Sequence, residues 1–295
     1  TCRAYDLYNV VNLLNSGFEF HLNVKLIHKK DWYWDMSVNG YTYANKMLNL
    51  PDEYKVSGMP NGNQRIYEGK DIYRWEMRQF AGLDEKGNSL WYMDRDLTDG
   101  EGNVVGVEKV TTGDATEATQ YLLEKSALPD FTGGLNTTLR WKSLDLTIMT
   151  NFQFGGYGYD YDFSAFSSAN FPMNRLKNYA DAWNPETGKG SAPIWNTNDS
   201  NINASSDRFL ISKTYFNLRN ITLGYTFPAN WMSKIGIKSV RVYFACDNVF
   251  FASKRKGYDP RTSMGGQGAT VALNSVDGTY YSPIRTTSVG LNINF

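Results

Sequence analysis

Phe18-Glu19-Phe20-His21-Leu22-Asn23-Val24-Lys25-Leu26 decides the fold, because every even position is apolar and every odd one polar. Successive side chains of a strand point to opposite faces, so a period of two describes a strand with one greasy and one polar face. The pattern returns along the chain. Trp32, Trp34, Met36 and Val38 alternate with Tyr33, Asp35, Ser37 and Asn39. Leu144, Leu146, Ile148, Thr150, Phe152 and Phe154 alternate with Asp145, Thr147, Asn151 and Gln153. Ile221, Leu223, Tyr225 and Phe227 alternate with Thr222, Gly224 and Thr226. Val240, Val242, Phe244 and Cys246 alternate with Arg241, Tyr243, Ala245 and Asp247. At the end, Thr287, Val289, Leu291, Ile293 and Phe295 share one face, opposite Ser288, Gly290, Asn292 and Asn294. These runs are about 9 to 13 residues long, the length a tilted strand needs to cross a bilayer. Strands of soluble proteins are usually nearer five or six residues.

The connections sort into two alternating classes. Those at 28–31, 142–143 and 228–238 are short. Those at about 49–131, 157–212 and 252–284 are long and rich in Gly, Asn, Ser and Asp. Outer-membrane barrels pair short periplasmic turns with long extracellular loops. If the C-terminal end is periplasmic, counting back from Phe295 puts every long link outside, a parity that a soluble sandwich has no reason to keep. The prediction is an all-β, antiparallel transmembrane barrel wall. Aromatics gather at both ends of the strands: Trp32, Trp34, Trp141, Tyr225, Phe227 and Trp231 by the short turns, and Tyr41, Tyr43, Phe152, Phe154, Phe250 and Phe251 by the long links. Amphipathic rings favour the headgroup layer, so two girdles are expected. Residues 71–95 read as a further hairpin turning at 84–88, and 228–235 as a helical turn ended by Gly236.

Composition narrows the function. Among 295 residues, Lys plus Arg and Asp plus Glu both number 30, and no basic stripe appears, so a nucleic-acid partner is excluded. The longest apolar run is 242–246, far short of a membrane helix. The chain opens at Thr1 without Met or a basic-then-apolar leader, so no signal peptide is legible. Two cysteines, Cys2 and Cys246, make no disulfide framework. Cys2 does not read as a lipidation site, because a mature lipoprotein begins with the cysteine itself. His21 sits on the polar face of a strand and His28 borders a turn, so neither reads as a metal ligand or catalytic base. No nucleophile, phosphate-loop or metal motif is present and no pair of carboxylates is singled out. The expectation is no enzyme, no cofactor and no metal. Asp160 and Asp162 flank Tyr161; hard oxygen ligands there suit Ca²⁺, against the simpler reading of a solvated acidic loop.

Seven strands are placed with an eighth at 5–14, and nothing marks a beginning. A closed barrel of that size has loops outweighing its wall, whereas an open segment needs further strands on its N-terminal edge, since unpaired backbone groups are prohibitive in lipid. The prediction is therefore an open sheet whose first and last strands are not hydrogen-bonded. Val240, Val242 and Phe244 are expected outward, with Arg241, Tyr243 and Asp247 toward the lumen.

The second half carries a resemblance. The stretch 214–228, Thr-Tyr-Phe-Asn-Leu-Arg-Asn-Ile-Thr-Leu-Gly-Tyr-Thr-Phe-Pro, is similar to the "YxRLKNITLGYTLP" signature of the SusC/RagA-type TonB-dependent transporters of the Bacteroidetes outer membrane. Val240 to Tyr243 with Asp247 to Phe250 resembles "LRVYxxxxNLF". Lys256-Gly257-Tyr258-Asp259-Pro260 resembles "KGYDPE", with Arg261 where Glu is usual, and that departure puts any role of the Glu in doubt. Tyr281-Ser282-Pro283 with Arg285-Thr286 resembles "YPxxRT" with one Ser inserted, and 290–295 resembles "GLNVxF". Looser agreement at 15–19, 32–45, 68–70 and 82–84 extends the likeness over almost the whole chain.

The resemblance implies the C-terminal portion of a 22-strand barrel in the outer membrane, with the plug, the TonB-contact segment and the earlier strands lying upstream. It implies import of oligosaccharides or, less often, peptides, a SusD-like surface lipoprotein as lid, and TonB as the source of force. Glycan is favoured by the family rather than by any sugar-binding motif here. It also implies that Leu291, Ile293 and Phe295 form the signal that the outer-membrane assembly machinery reads. Tyr157, Tyr159, Tyr161, Trp183 and Trp195 stand among Asn and Asp in one long link, and with Tyr258 they are the candidate contacts for ligand or lid. Loop self-packing is the alternative for all of them. Two other functions remain open: a passive porin or small autonomous barrel, which needs the first strand to pair with the last, and a soluble carbohydrate-binding β-sandwich, which needs the greasy faces to meet each other.

Overall fold

The computed structural model describes residues 11–167, 181–196, 199, 201–232, 234, 236–254 and 284–295. The long strands that the alternation predicts are β1 (Asn12–His28) and β2 (Trp32–Asn49). The first long link then carries β3 (Met59–Asn61), β4 (Gln64–Ile66), β5 (Arg74–Arg78), β6 (Phe80–Leu83), β7 (Ser89–Thr98), β8 (Val104–Thr112) and β9 (Gln120–Ser126). The wall resumes with β10 (Pro129–Trp141) and β11 (Leu144–Gly155). The second long link holds β12 (Tyr157–Tyr159), helix α1 (Tyr161–Phe166) and β13 (Leu210–Ser212), and β14 (Tyr215–Thr226) follows. A turn containing α2 (Ala229–Met232) leads to β15 (Ser239–Ser253), and the third long link leads to β16 (Thr286–Asn294).

Seven strands form one antiparallel sheet in the order β1-β2-β10-β11-β14-β15-β16. The sheet is open among the described residues: β1 and β16 are its two edges. The eighth strand expected at 5–14 is not separate where it is described, since Asn12 to Leu14 are the start of β1; positions 5–10 lie outside the described residues. All three long links leave from one end of the sheet and all three short turns from the other, as antiparallel order and the link parity require.

Register turns the alternation into faces. Ile27, Trp34, Leu139, Leu146, Leu223, Phe244 and Val289 are successive partners across the seven strands, and Trp141, Leu144, Tyr225, Val242 and Leu291 form the next row. Most of these side chains are solvent-exposed in the isolated sheet, Phe244 at 45% and Val289 at 77%, and so is Phe18 farther along the same face at 67%. A contiguous apolar surface of this extent is a face made for lipid, because soluble proteins rarely leave more than a few hundred Å² of it in water. The opposite face carries Lys25, Asp35, Thr138, Thr147, Thr222, Ala245 and Ser288 in one row. Arg241 lies on that polar face, where its guanidinium grips Asp145 (Nη2 to Oδ2, 2.6 Å) across Gly224. Val242 and Phe244 stand on the apolar face as expected.

The girdles form, with one correction. At the short-turn end Trp32 stacks on Trp141 with centroids 5.7 Å apart, and Tyr225 meets Phe227 edge-on at 5.3 Å. At the long-link end Phe18, Phe20, Phe131, Phe152 and Phe154 form a continuous run of rings across β1, β10 and β11. Phe131 and Trp141 are ten steps apart on β10, about 34 Å along the strand, which at the usual tilt is about the 25 Å height of an outer-membrane apolar band. Tyr41, Tyr43 and Phe251, assigned by sequence to this girdle, belong to the polar face: Tyr41 pairs with Thr132, Tyr43 donates to Asn15 Oδ1 and Phe251 stacks on Tyr215. Nearness to a strand end does not fix a face; only parity does.

The ring ladder depends on two glycines. A Cβ on Gly40 would stand 2.4 Å from Phe131 Cζ and 3.0 Å from Phe20 Cε1, so the rings lie directly over bare backbone. Gly133 is likewise crowded by Phe152 and Phe131. Gly40→Val is therefore expected to lower wall stability by about 1–3 kcal/mol, the usual cost of overpacking. Thermal unfolding of the full-length protein in detergent checks this; an unchanged midpoint would mean that the rings swing aside freely.

Candidate functional site

The site is the folded cap that the long links build over one end of the wall. Its first link does not contain the single hairpin expected over 71–95. β6 and β7 do pair around a turn at 84–88, where Asp84 Oδ1 accepts the Lys86 and Asn88 N–H groups. β7 pairs onward with β8, while β5 pairs with β9 and β4. The signal missed was long-range: β5 and β9 are more than forty residues apart, and although Arg74 to Arg78 alternate, Gln120 to Ser126 do not.

The two described links share a core. Trp75, Met77, Leu123 and Ala127 from the first pack with Tyr159, Phe209 and Leu210 from the second. Trp75 is 2% exposed and its indole N–H donates to Tyr157 O at 3.1 Å. Cross-link bonds fasten the two: Phe80 N–H to Asp207 Oδ1 (2.9 Å), Ser205 Oγ to Asn63 Oδ1 (3.0 Å) and Ile194 N–H to Gly87 O (2.9 Å). A smaller cluster of Met47, Leu50 and Ile66 seats the first link on the top of β2. Fully burying side chains of this size stabilises by about 1.5–3 kcal/mol each, enough to hold loops of this length in one arrangement.

This packing sorts the aromatic candidates. Tyr159 is withdrawn as a ligand contact: it is 3% exposed, its ring meets Tyr161 and Phe209 edge-on, and its hydroxyl bonds Ser164. Burial holds its phenol above the ordinary value. Tyr157 and Tyr161 are half-buried at the margin of the same core, Tyr157 with Lys125 Nζ 5.4 Å over its ring. Trp183 lies flat against Gly87, where a Cβ would come within 2.2 Å of its Cγ, so it serves link-to-link packing. Trp195 is 45% exposed. Tyr258 lies outside the described residues.

Asp160 is likewise structural. Asp160 is 1% exposed and accepts the Phe163 N–H at 2.9 Å, capping α1. It is neither solvated nor spread toward a cation, and no cluster of three candidate ligands occurs among the described residues. Elsewhere in the cap, Tyr121 is pushed up to about 12 by burial and by its hydrogen bond to Asp94, and Lys109 lies over both Tyr92 and Tyr121 at 4.5 and 4.3 Å. His21 bonds Ser37 on the polar face and His28 packs edge-on against Tyr33. The cap exposes aromatic and amide groups. Leu291, Ile293 and Phe295 all present exposed apolar side chains on the unpaired edge strand, Phe295 at 78%.

No family model matches the chain. Relatives include the TonB-dependent receptor P3 of Formosa agariphila, 25% identical over 311 residues that span 98% of this chain and 29% of that protein. The TonB-dependent receptor SusC of Bacteroides thetaiotaomicron is 26% identical over 294 residues, spanning 97% of this chain and 27% of that one. Among solved structures, the RagAB peptide transporter superposes with a TM-score of 0.75 at 25% identity, covering 97% of this chain and 30% of that chain. The chain thus spans about 30% of the length of the relatives it matches.

Proposed function

Since this chain is of the SusC/RagA type of TonB-dependent receptor, we propose that it is barrel wall and extracellular cap of an outer-membrane importer, driven through TonB, that takes up oligosaccharide. The observation that supports this best is the pairing of a lipid-ready face with a cap in which every long link leaves from the same end of the sheet. A polar inner face of Asn, Thr, Ser and one Arg–Asp pair suits a wall lining a wet or filled lumen. Trp195 and the edges of Tyr157 and Tyr161 are the ring faces the cap offers to a sugar or to a SusD-like lipoprotein lid. Peptide is the second cargo class, favoured by the likeness to a solved peptide transporter.

The test is uptake by cells carrying the full-length protein. Labelled oligosaccharides should accumulate only with TonB present, and oligopeptides should not. Accumulation that survives loss of TonB would overturn active import in favour of a porin, and accumulation of peptides alone would reassign the cargo.

The terminal strand should act in assembly rather than transport. An unpaired edge with alternate apolar side chains docks by adding a strand to a partner sheet. Deleting Phe295 from the full-length protein is expected to reduce surface levels severalfold while uptake per inserted molecule stays near normal. Normal surface levels with lost uptake would move these residues to a transport role.

A further inference from the structure

We propose that a window in the wall, at its cap-side rim, binds a short extended peptide by strand addition. The window opens where two wall strands part. The ladder between β2 and β10 stops at Tyr41–Thr132, while β2 runs on to Asn49 with β1 still beside it. Pairing on the vacated edge resumes only at Met47, where Gly69 N–H donates to Met47 O at 2.8 Å and Met47 N–H to Lys70 O at 2.9 Å. Between the two lies a cleft of about 1120 Å³ whose lining includes Leu128 and Tyr157.

The backbone of β2 sets what the window can hold. Successive residues of a strand turn their N–H and C=O groups to alternate edges. Met47 turns both of its groups to the vacated edge, so Asn45 and Tyr43, two and four residues back in an unbroken register, do the same. Those backbone groups have no hydrogen bond among the described residues. The side chain of Asn45 repeats the shortage. It is 7% exposed and lines the cleft, and its Oδ1 accepts the Ile72 N–H at 2.9 Å, but its Nδ2 has no acceptor among the described residues. Polar groups buried without partners cost free energy, which a ligand supplying those partners would recover.

Three features select the occupant. The free donors and acceptors lie along one edge and repeat about every 7 Å, the spacing at which a second extended backbone presents its own. A glycan has no such row. Charge favours a neutral ligand, because Lys46, Lys70 and Arg74 are balanced by Asp71, Glu124 and Asp130 around the same cleft. Length excludes an edge strand of a folded partner. From Tyr41 to Met47 is a stretch of about 20 Å, closed in the plane of the sheet by Thr132 below and by 69–70 above. A free peptide of about five residues fits that span, and a longer strand would collide with one end. Once seated, the peptide pairs with Tyr43 and Asn45 and points alternate side chains to the two faces of the wall, so main-chain bonds give affinity and side chains give specificity. The site goes beyond the uptake reading, since binding at the rim needs no passage through the wall.

The experiment uses the full-length protein in detergent and a pool of acetylated, amidated pentapeptides without charged residues. Equilibrium dialysis reads affinity and hydrogen exchange locates the bound peptide. The wild type should retain members of the pool, with exchange across 42–46 slowed about tenfold and exchange in β14 unchanged. N-methylation of the best-retained peptide at one of its two alternate sets of residues should weaken binding about tenfold, as losing about one hydrogen bond does. Tyr43→Pro removes an edge N–H, a change that an unpaired edge accepts. It should bind about tenfold weaker than Tyr43→Ala, which keeps that N–H. Retention of no member, competition by maltopentaose, or indifference to N-methylation at both sets would overturn the proposal. The methylated peptides keep the test independent of how the proline variant folds. TonB-independent uptake would sink the importer reading and leave this result untouched, so the two failures are distinct.

Discussion

Trp75→Ala should unfold the cap while leaving the wall intact. The indole is 2% exposed, fills the middle of the core shared by the two described links, and gives its N–H to Tyr157 O. Truncating a buried Trp costs about 3–5 kcal/mol, and the stranded Tyr157 carbonyl adds to the loss. Among the described residues the cap has no second core of that size, since the remaining clusters are built from three buried residues each. The wall does not share the loss, because its seven strands are held by continuous ladders in a sheet separate from that of β5. Hydrogen exchange on the full-length protein should therefore show faster exchange across β5 and β9 and unchanged protection in β14 and β15. Uptake should fall sharply with surface levels near normal. Uniformly faster exchange would mean that the cap and wall form one cooperative unit, contrary to this view.

Phe244→Arg should be the most damaging single change in the wall. Phe244 stands on the lipid face in the row with Leu146, Leu223 and Val289, one row in from Trp141 and Tyr225 of the short-turn girdle. Arginine on the lipid face costs up to about 2–4 kcal/mol, the most at the midplane. The control is Thr222→Arg, which pairs with Thr147 and Ala245 on the opposite face and meets water or polar groups. Denaturant titration of the full-length protein in lipid vesicles should show the loss for Phe244→Arg and a change near zero for Thr222→Arg. Equal losses at the two sites would show that both faces meet the same environment, as in a soluble sandwich.

The wall was legible because its signal is local. The side-chain period of a strand is two whatever the strand pairs with, so Phe18 to Leu26 or Val240 to Cys246 could be read without knowing a neighbour. Link parity then constrained the order of the strands. The wall strands overrun the alternating runs: β1 begins six residues before Phe18, β2 continues ten residues past Asn39, β14 begins six before Ile221 and β15 runs six past Asp247. Assignment by distance from a strand end failed for Tyr41, Tyr43 and Phe251, because a residue one step along lies on the other face.

The cap was not legible in the same way, and its aromatics show why. Tyr157, Tyr159, Tyr161, Trp183 and Trp195 have the same composition signal, a ring among Asn, Asp and Gly. Only the meeting of residues 75–127 with residues 157–210 decides that Tyr159 is sealed in a core, that Trp183 lies on Gly87 and that Trp195 stays exposed. The Phe ladder over Gly40 and Gly133 likewise joins segments that are distant in sequence. The alternating hydrophobicity of this chain by itself determined an antiparallel wall with one face for lipid, because that pattern acts through backbone geometry alone. Which loop side chains are buried and which are offered to a partner was decided only by tertiary structure, because burial depends on contacts between residues that the sequence keeps far apart.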